Sequence, residues 1–565
     1  MPPPPPAAET EAEARAARDA LAAGRIRSRT AVLDRPEAAT IGVAAALLLS
    51  AGFLLARLVP DVRGKPIFND EVVAGLTALH PIGELVDIVI SDRGGAPLHF
   101  ALAHVALALD PSPEALRWLS VVFALATVPV CYDLGRRLGG ATAGVVAAVV
   151  AASSSMLAVY GTVGRMYSLF AFVSALAVTL FVRALERRTP RSTLAAAAAA
   201  WLLPAVHPYG LIVVAIELAV ALAVWRGRPL RPALPVLGLL VALTPFVLAD
   251  LRLSERFGVG ASEEQSVAPP DFAAKQLGEA LAAFAGGAGG LALVFFGLAL
   301  AGLFVVFRRL PAFGAFALLA LAAVPVLMVA ARAEQELVHQ LTPRHLMFGL
   351  PVWAALVGVG VARLVRGLPT LAVVGAVGAV AAAAVFAPSG ISDPRVSASG
   401  SRGALSAPAD WVRAEADGGA VLLFYSPVYL AALPDTRETT PIPRSGRPLE
   451  MVRRADFPVP SVVLTLELAG TGVDRSMLLS ELPAGSDVGV FPEWLTLEVP
   501  GPFTDERAVL GAGRDALVAA LASADERTLP FRRHVRAGLV TVCDALEQVG
   551  DTCPPSVLRR RSGSG

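Results

Sequence analysis

The chain has 565 residues, 55% of them hydrophobic and only 17% charged, with a formal net charge of +1 and a mean hydropathy of +0.62. A soluble protein of this length needs more charge to cover its surface, and a balanced charge gives no electrostatic footing for nucleic acid. Repeated apolar runs of bilayer-spanning length predict a polytopic α-helical membrane protein.

Residues 1–39 hold a proline run, an acidic Ala-rich patch and then Arg25, Arg27, Arg29 and Arg35. They read as a cytoplasmic tail, not a cleaved signal, because no short apolar stretch precedes a small-residue cleavage site. Spans are expected at 40–59, 115–134, 141–160, 165–184, 193–206, 208–225, 232–250, 288–307, 312–331, 346–365 and 369–387. Alternate turns carry Arg136-Arg137, Arg187-Arg188-Arg191, Arg226-Arg228-Arg231, Arg308-Arg309, and Arg363 with Arg366. The positive-inside rule places those turns in the cytoplasm. The run 96–109 is too short to span and contains His99 and His104, so it is expected to be a re-entrant or interfacial helix. This gives about 11 spans, with the N-terminus inside and the C-terminus outside.

Beyond Pro388 the pattern becomes that of a small extracytoplasmic α/β domain, 388–555. Helices are expected at Ala409–Ala416 and Ala516–Ala522, and buried strands at Val421–Tyr425 and Val462–Leu466. The Arg-rich, Ser/Gly tail 556–565 is expected to be disordered. Of the three cysteines, Cys131 lies in an apolar run and reads as a buried thiol. Cys543 and Cys553 lie in the domain placed outside, where oxidation is allowed, and are expected to pair. No paired Cys-x-x-Cys motifs occur, which argues against structural zinc.

The polar signals collect at the outward ends of the spans. Asp70 and Glu71 lie in the first external loop, with His99 after them; Arg165 and Tyr167 follow the third span; His207 and Tyr209 follow the fifth; Arg344 and His345 open the tenth. Each has a plainer reading. An acidic pair in a loop is usually solvated, Arg165 with Tyr167 suits a snorkelling anchor and an aromatic belt, and His207-Pro208 suits a polar helix break. Glu217, inside a span, must face protein or water because an isolated carboxylate in lipid is costly.

Taken in order, Asn69-Asp70-Glu71, Gly95-Ala96-Pro97-Leu98-His99, Glu114-Ala115-Leu116-Arg117, Leu134-Gly135-Arg136-Arg137-Leu138, Gly164-Arg165-Met166-Tyr167 and Pro343-Arg344-His345-Leu346 resemble the landmarks of the GT-C superfamily of integral-membrane glycosyltransferases. The resemblance is to the dolichyl-phosphate-mannose protein mannosyltransferases and their bacterial relatives, the Rgt-type and aminoarabinose lipid A transferases, over about 40–387. Ala96, His99 and His345 depart from it, standing where the pattern has Pro, Tyr and Tyr.

The resemblance implies inverting transfer of a sugar from a polyprenyl-phosphate donor to an envelope glycan, lipid or protein at the outer face of the cytoplasmic membrane. Asp70 would be the base for the acceptor hydroxyl, with Glu71 second to it as a helper or a structural carboxylate. Arg165 and Arg344 would stabilise the departing phosphate. Tyr167 and His207 would orient phosphate or sugar, and His99, Tyr209 and His345 would complete the substrate site. No organic cofactor and no metal-ligand set is expected, although the resemblance leaves a divalent cation open. The competing readings are a transporter or flippase of lipid-linked sugars, which would place its polar groups at the midplane, and a non-catalytic membrane scaffold.

Overall fold

The structure, a computed structural model, describes residues 36–65, 69–90, 96–110, 112–224, 238, 241–242, 244–248, 282–284, 290–333, 343–368, 370–386, 402–423, 426–432, 452, 455–468, 473–492, 494–523 and 529–553. The expected tails therefore lie outside the described residues, apart from positions 36–39, which form the first turn of helix α1. Most of the expected span 232–250 also lies outside them.

The membrane part is helical throughout. Its elements are α1 (Pro36–Gly64), α2 (Asn69–Ala78), α3 (Ile82–Ile88), α4 (Pro97–Leu109), α5 (Pro113–Gly139), α6 (Ala141–Ser153), α7 (Ser155–Tyr160), α8 (Tyr167–Arg187), α9 (Pro190–Val206) and α10 (Gly210–Val224). Then come α11 (Gly290–Arg309), α12 (Pro311–Ala333), a 3-10 turn at Pro343–Gly349, α13 (Leu350–Leu364) and α14 (Thr370–Phe386). Among the described residues five helical stretches are long and apolar enough to cross a membrane, beginning at Thr40, Glu114, Tyr167, Gly290 and Leu346, and shorter apolar helices accompany them. The chain is thus a multi-pass membrane protein. Helix α13 is apolar on nearly every face and packs against α5, α6 and α11, as expected of the central helix of a bundle.

One expectation needs revision in detail. The run 141–160 is not one helix. It breaks at Ser154, whose hydroxyl accepts the N–H of Met156 at 3.1 Å and caps α7. Three successive serines offer such local bonds in place of the helix ladder. The Ser153 carbonyl at the break accepts Arg57 Nη1 of α1 at 3.0 Å, which satisfies a group that lipid could not. The run 96–109 forms the 13-residue α4, about 20 Å long at 1.5 Å per residue and short of a full bilayer.

The C-terminal part carries α15 (Arg402–Asp417), β1 (Val421–Leu423), α16 (Pro427–Ala432), β2 (Val459–Glu467), α17 (Arg475–Glu481), β3 (Asp487–Val490), β4 (Trp494–Phe503), α18 (Glu506–Ser523) and α19 (Leu529–Gln548). The sheet order is β1-β2-β4-β3. β1 pairs with β2 in parallel, and β4 pairs antiparallel with both β2 and β3. The sheet is mixed and the expected α/β elements are present, several longer than the sequence suggested. β3, β4 and α19 go beyond that expectation. β4 is interrupted by proline and glycine, and β3 has only four residues, so neither shows a clean alternation. α19 buries Phe531, Val535, Leu539, Val542 and Leu546 at helical spacing, a legible pattern diluted by its basic residues. Cys543 on this helix is joined to Cys553 by a disulfide. Cys131 is a free, buried thiol.

Candidate active site

The beginnings of α2 and α4, the 161–166 loop, the turn between α9 and α10, and the 3-10 turn before α13 meet at one end of the bundle. One feature there is a buried ion pair. Arg117 of α5 grips Glu71 of α2 with two parallel bonds, Nε to Oε1 at 2.9 Å and Nη2 to Oε2 at 2.7 Å. Its remaining Nη1 donates to the carbonyls of Val62 and Lys65, both at 2.9 Å, where α1 ends. The Gly164 N–H donates to Glu71 Oε1 at 2.7 Å. Both charged side chains are buried, so this bidentate geometry, with a third bond to Oε1 from the Gly164 amide, is what makes the pair tolerable. Gly164 must be glycine. A Cβ there would lie 2.9 Å from Leu116 Cβ and 3.3 Å from Glu71 Oε1.

The clamp fixes four segments at once: the end of α1, the start of α2, the start of α5 and the 161–166 loop. Ser120 of α5 also donates to the Val163 carbonyl of that loop, at 2.7 Å. Arg117 and Gly164 were legible in the sequence only as members of motifs, because the distance from position 71 to 117 or 164 hides the pairing. Asp70 precedes Glu71 in the first turn of α2, about 100° around the helix from it. Of Asp70 and His345 the backbone is described and the side chain lies outside the described set.

Beyond the clamp, Arg165, Tyr167, His207, Tyr209 and Arg344, all expected to bind substrate, form one cluster. The His207 ring stacks on Phe170, with centroids 4.8 Å apart and planes at 19°. Tyr167 and Tyr209 flank it at 6.5 and 5.2 Å. Arg344 lies over the Tyr167 ring, its Cζ 5.9 Å from the centroid, in a cation–π arrangement. Burial, with the charges of Arg165 and Arg344 added, pushes the pKa of His207 down to about 3. Burial and the Arg165 charge push His99, at the first turn of α4, down to about 3 as well. Both imidazoles are therefore neutral near pH 7. Arg165 thus acts on both histidines, and Arg344 joins it at His207. Phe170, which carries the stack, gives no polar signal in the sequence.

Two nitrogens beside this cluster stand apart from the clamp's well-bonded atoms. Arg165 Nε and His99 Nε2 are buried and have no hydrogen-bond partner among the described residues. Buried polar groups left this way call for an explanation, and a ligand bearing hydrogen-bond acceptors would supply one for the arginine. Among the described residues no group of three or more His, Cys, Asp and Glu side chains could hold a metal ion.

The arrangement is a helical bundle with arginines and aromatic rings gathered at one end, next to the start of α2. Residues 94–249 match the family model described as dolichyl-phosphate-mannose-protein mannosyltransferase, PMT_2. The chain is similar in fold to ArnT from Cupriavidus metallidurans in the apo state, with a TM-score of 0.55 and 13% identity, over 82% of this chain and 100% of that one. It is similar also to the same protein bound to undecaprenyl phosphate, with a TM-score of 0.51 and 13% identity over the same shares. None of the curated proteins matches the chain in sequence. The fold is thus similar to that of ArnT, and the matched segment 94–249 includes several of the motifs that carry the resemblance drawn from the sequence.

Proposed function

We propose that the protein transfers a sugar from a polyprenyl-phosphate donor to an acceptor of the cell envelope, by inversion, at the outer face of the cytoplasmic membrane. The observation that carries this reading is the convergence of Arg165 and Arg344 on buried His207, at the end of the bundle where Asp70 begins α2. A lipid phosphate needs no general acid to leave, but it needs positive charge as the bond breaks. Two arginines from separate turns supply it. Asp70 takes the acceptor's proton, and an ionised carboxylate close to arginine charge is favoured. Of the two roles open to Glu71, its complete pairing with Arg117 and Gly164 supports the structural one: it seats Asp70. His99, Tyr167, His207, Tyr209 and His345 complete the substrate site.

The orientation has its own support. Arg136, Arg187, Arg308 and Arg363 sit in the last turns of α5, α8, α11 and α13, the ends opposite the site, which the positive-inside rule assigns to the cytoplasm. The site and the C-terminal domain, whose α16 touches α2, then lie outside. Eleven spans accommodate this arrangement. The test is to incubate purified protein with a panel of polyprenyl-phosphate sugars and follow donor consumption, with Asp70→Asn as control. No consumption of any donor would overturn the reading.

One observation favours transport instead. Glu217 of α10 is buried and its Oε1 has no partner among the described residues. Glu217→Gln separates the two readings: sugar transfer in detergent should survive it, whereas a transporter would lose its flux across proteoliposomes.

A further inference from the structure

His207 is held so that the two edges of its ring have different tasks. It ends α9 in an extended conformation, φ −154° and ψ 138°, and its carbonyl accepts the Gly210 N–H at 2.8 Å. A Cβ on Gly210 would run into the Leu203 carbonyl, so only glycine lets the turn close this tightly, and Pro208 fixes its φ. The ring cannot swing, because Phe170 lies flat against it and Tyr209 meets its edge.

Within this turn the backbone N–H of Tyr209 donates to His207 Nδ1 at 3.2 Å. A ring nitrogen that accepts a hydrogen bond carries no proton, so the neutral ring here is the Nε2–H tautomer. We infer that His207 is a neutral hydrogen-bond donor, giving its Nε2–H to an oxygen of the lipid phosphate held between Arg165 and Arg344, and that it acts neither as a base nor as a third cation.

The chemistry of the ligand fits this role. An ionised phosphate oxygen accepts and never donates, so it has no use for a basic nitrogen. A third positive charge beside two arginines would be repelled by both. A neutral N–H adds direction without adding charge, and a bond to an ionised acceptor is among the stronger ones. The identity of the ligand rests on the proposed function; the tautomer rests on the turn alone.

Two substitutions separate the edges. In His207→Asn the side-chain oxygen can still accept the Tyr209 N–H, but nothing reaches the far side. In His207→Gln the amide nitrogen reaches the position of Nε2 and the turn bond is lost. With undecaprenyl phosphate as the probe, His207→Asn should melt like the wild type and bind about tenfold more weakly, the size of a lost hydrogen bond to a charged group. His207→Gln should recover most of the binding. Imidazole nitrogen NMR on labelled protein should show His207 neutral and protonated at Nε2 across roughly pH 5–8, the range in which an ordinary histidine changes charge.

A doubly protonated ring near neutral pH, or protonation at Nδ1, would overturn the tautomer whatever the protein's function. Equal binding by the Asn and Gln variants would overturn the donor role. Should the wild type bind no undecaprenyl phosphate while the NMR shows the expected tautomer, the proposed function falls and takes the ligand assignment with it.

Discussion

Two buried polar clusters lie side by side at the same end of the bundle, and they are built on opposite terms. In the Glu71–Arg117 clamp both carboxylate oxygens accept from Arg117, Oε1 also from the Gly164 amide, and the guanidinium reaches two backbone carbonyls besides. In the cluster of His99, Arg165, His207 and Arg344, positive charge gathers around two neutral imidazoles, and two buried nitrogens, Arg165 Nε and His99 Nε2, lack a hydrogen-bond partner among the described residues. Burial alone therefore does not mark function. A well-bonded charge pair is tolerated in a buried place if its geometry is good, whereas a buried polar atom without a partner is costly until one arrives. On the proposed function, the first cluster holds still so that the second can bind.

The largest expected effect tests whether the clamp presents a base to that second cluster. Asp70→Asn keeps the shape of α2 and removes the basicity, so turnover should fall about 10²–10⁴-fold while donor-lipid binding and melting stay close to wild type. Near-normal turnover would make Asp70 a bystander and send the test to Glu71.

Breaking the clamp should look different. Glu71→Gln or Arg117→Ala leaves one buried partner uncompensated and should destabilise the protein by about 3–5 kcal/mol, read by thermal unfolding in detergent. Replacing both, Glu71→Gln with Arg117→Met, should cost less than the sum of the two singles, because no lone charge remains buried. Additive losses would mean the two side chains do not act as a pair.

Arg344→Ala should act on the ligand side of the comparison. Donor binding and turnover should both weaken, about tenfold or more for a charge-assisted contact, with melting unchanged. A loss confined to melting would move Arg344 from the site to the scaffold.

Protons sharpen the same contrast more gently. His99 and His207 have folded pKa values of about 3 against an ordinary 6.5, so between these values the unfolded chain binds more protons than the native one. Stability should hold above pH 6.5 and fall as the pH drops through that window. Melting curves at descending pH should show it, and the slope should lessen in His207→Asn.

The smallest expected effect lies in the C-terminal domain. Burial, helped by the charge of Glu498, raises the pKa of Glu415, so its native form holds a proton to higher pH than the unfolded one. The stability this gives is present below the ordinary value of 4.5 and is lost as the pH rises through the folded pKa. Glu415→Gln should therefore raise the melting temperature slightly at pH 7 and leave it unchanged in acid. A decrease at pH 7 would contradict the repulsion.

What the sequence determined by itself was whatever depends on local pattern: helices from apolar length, a membrane part from the charge deficit, and a C-terminal α/β part from the change after Pro388; it also offered candidate residues from their place at span ends. The broken helix at Ser154 was within reach as well, since a serine triplet announces local capping. What only the tertiary structure decided was pairing. That Glu71 is spent on Arg117 and Gly164, that Arg165 stands near both His99 and His207, and that Phe170 carries the His207 ring all depend on segments tens to hundreds of residues apart. A hydrogen bond is set by distances of a few ångströms and by angles, which helix packing fixes and periodicity does not encode. For that reason the sequence ranks Glu71 second to its neighbour Asp70 without naming a partner for it, and only the fold supplies Arg117 and Gly164.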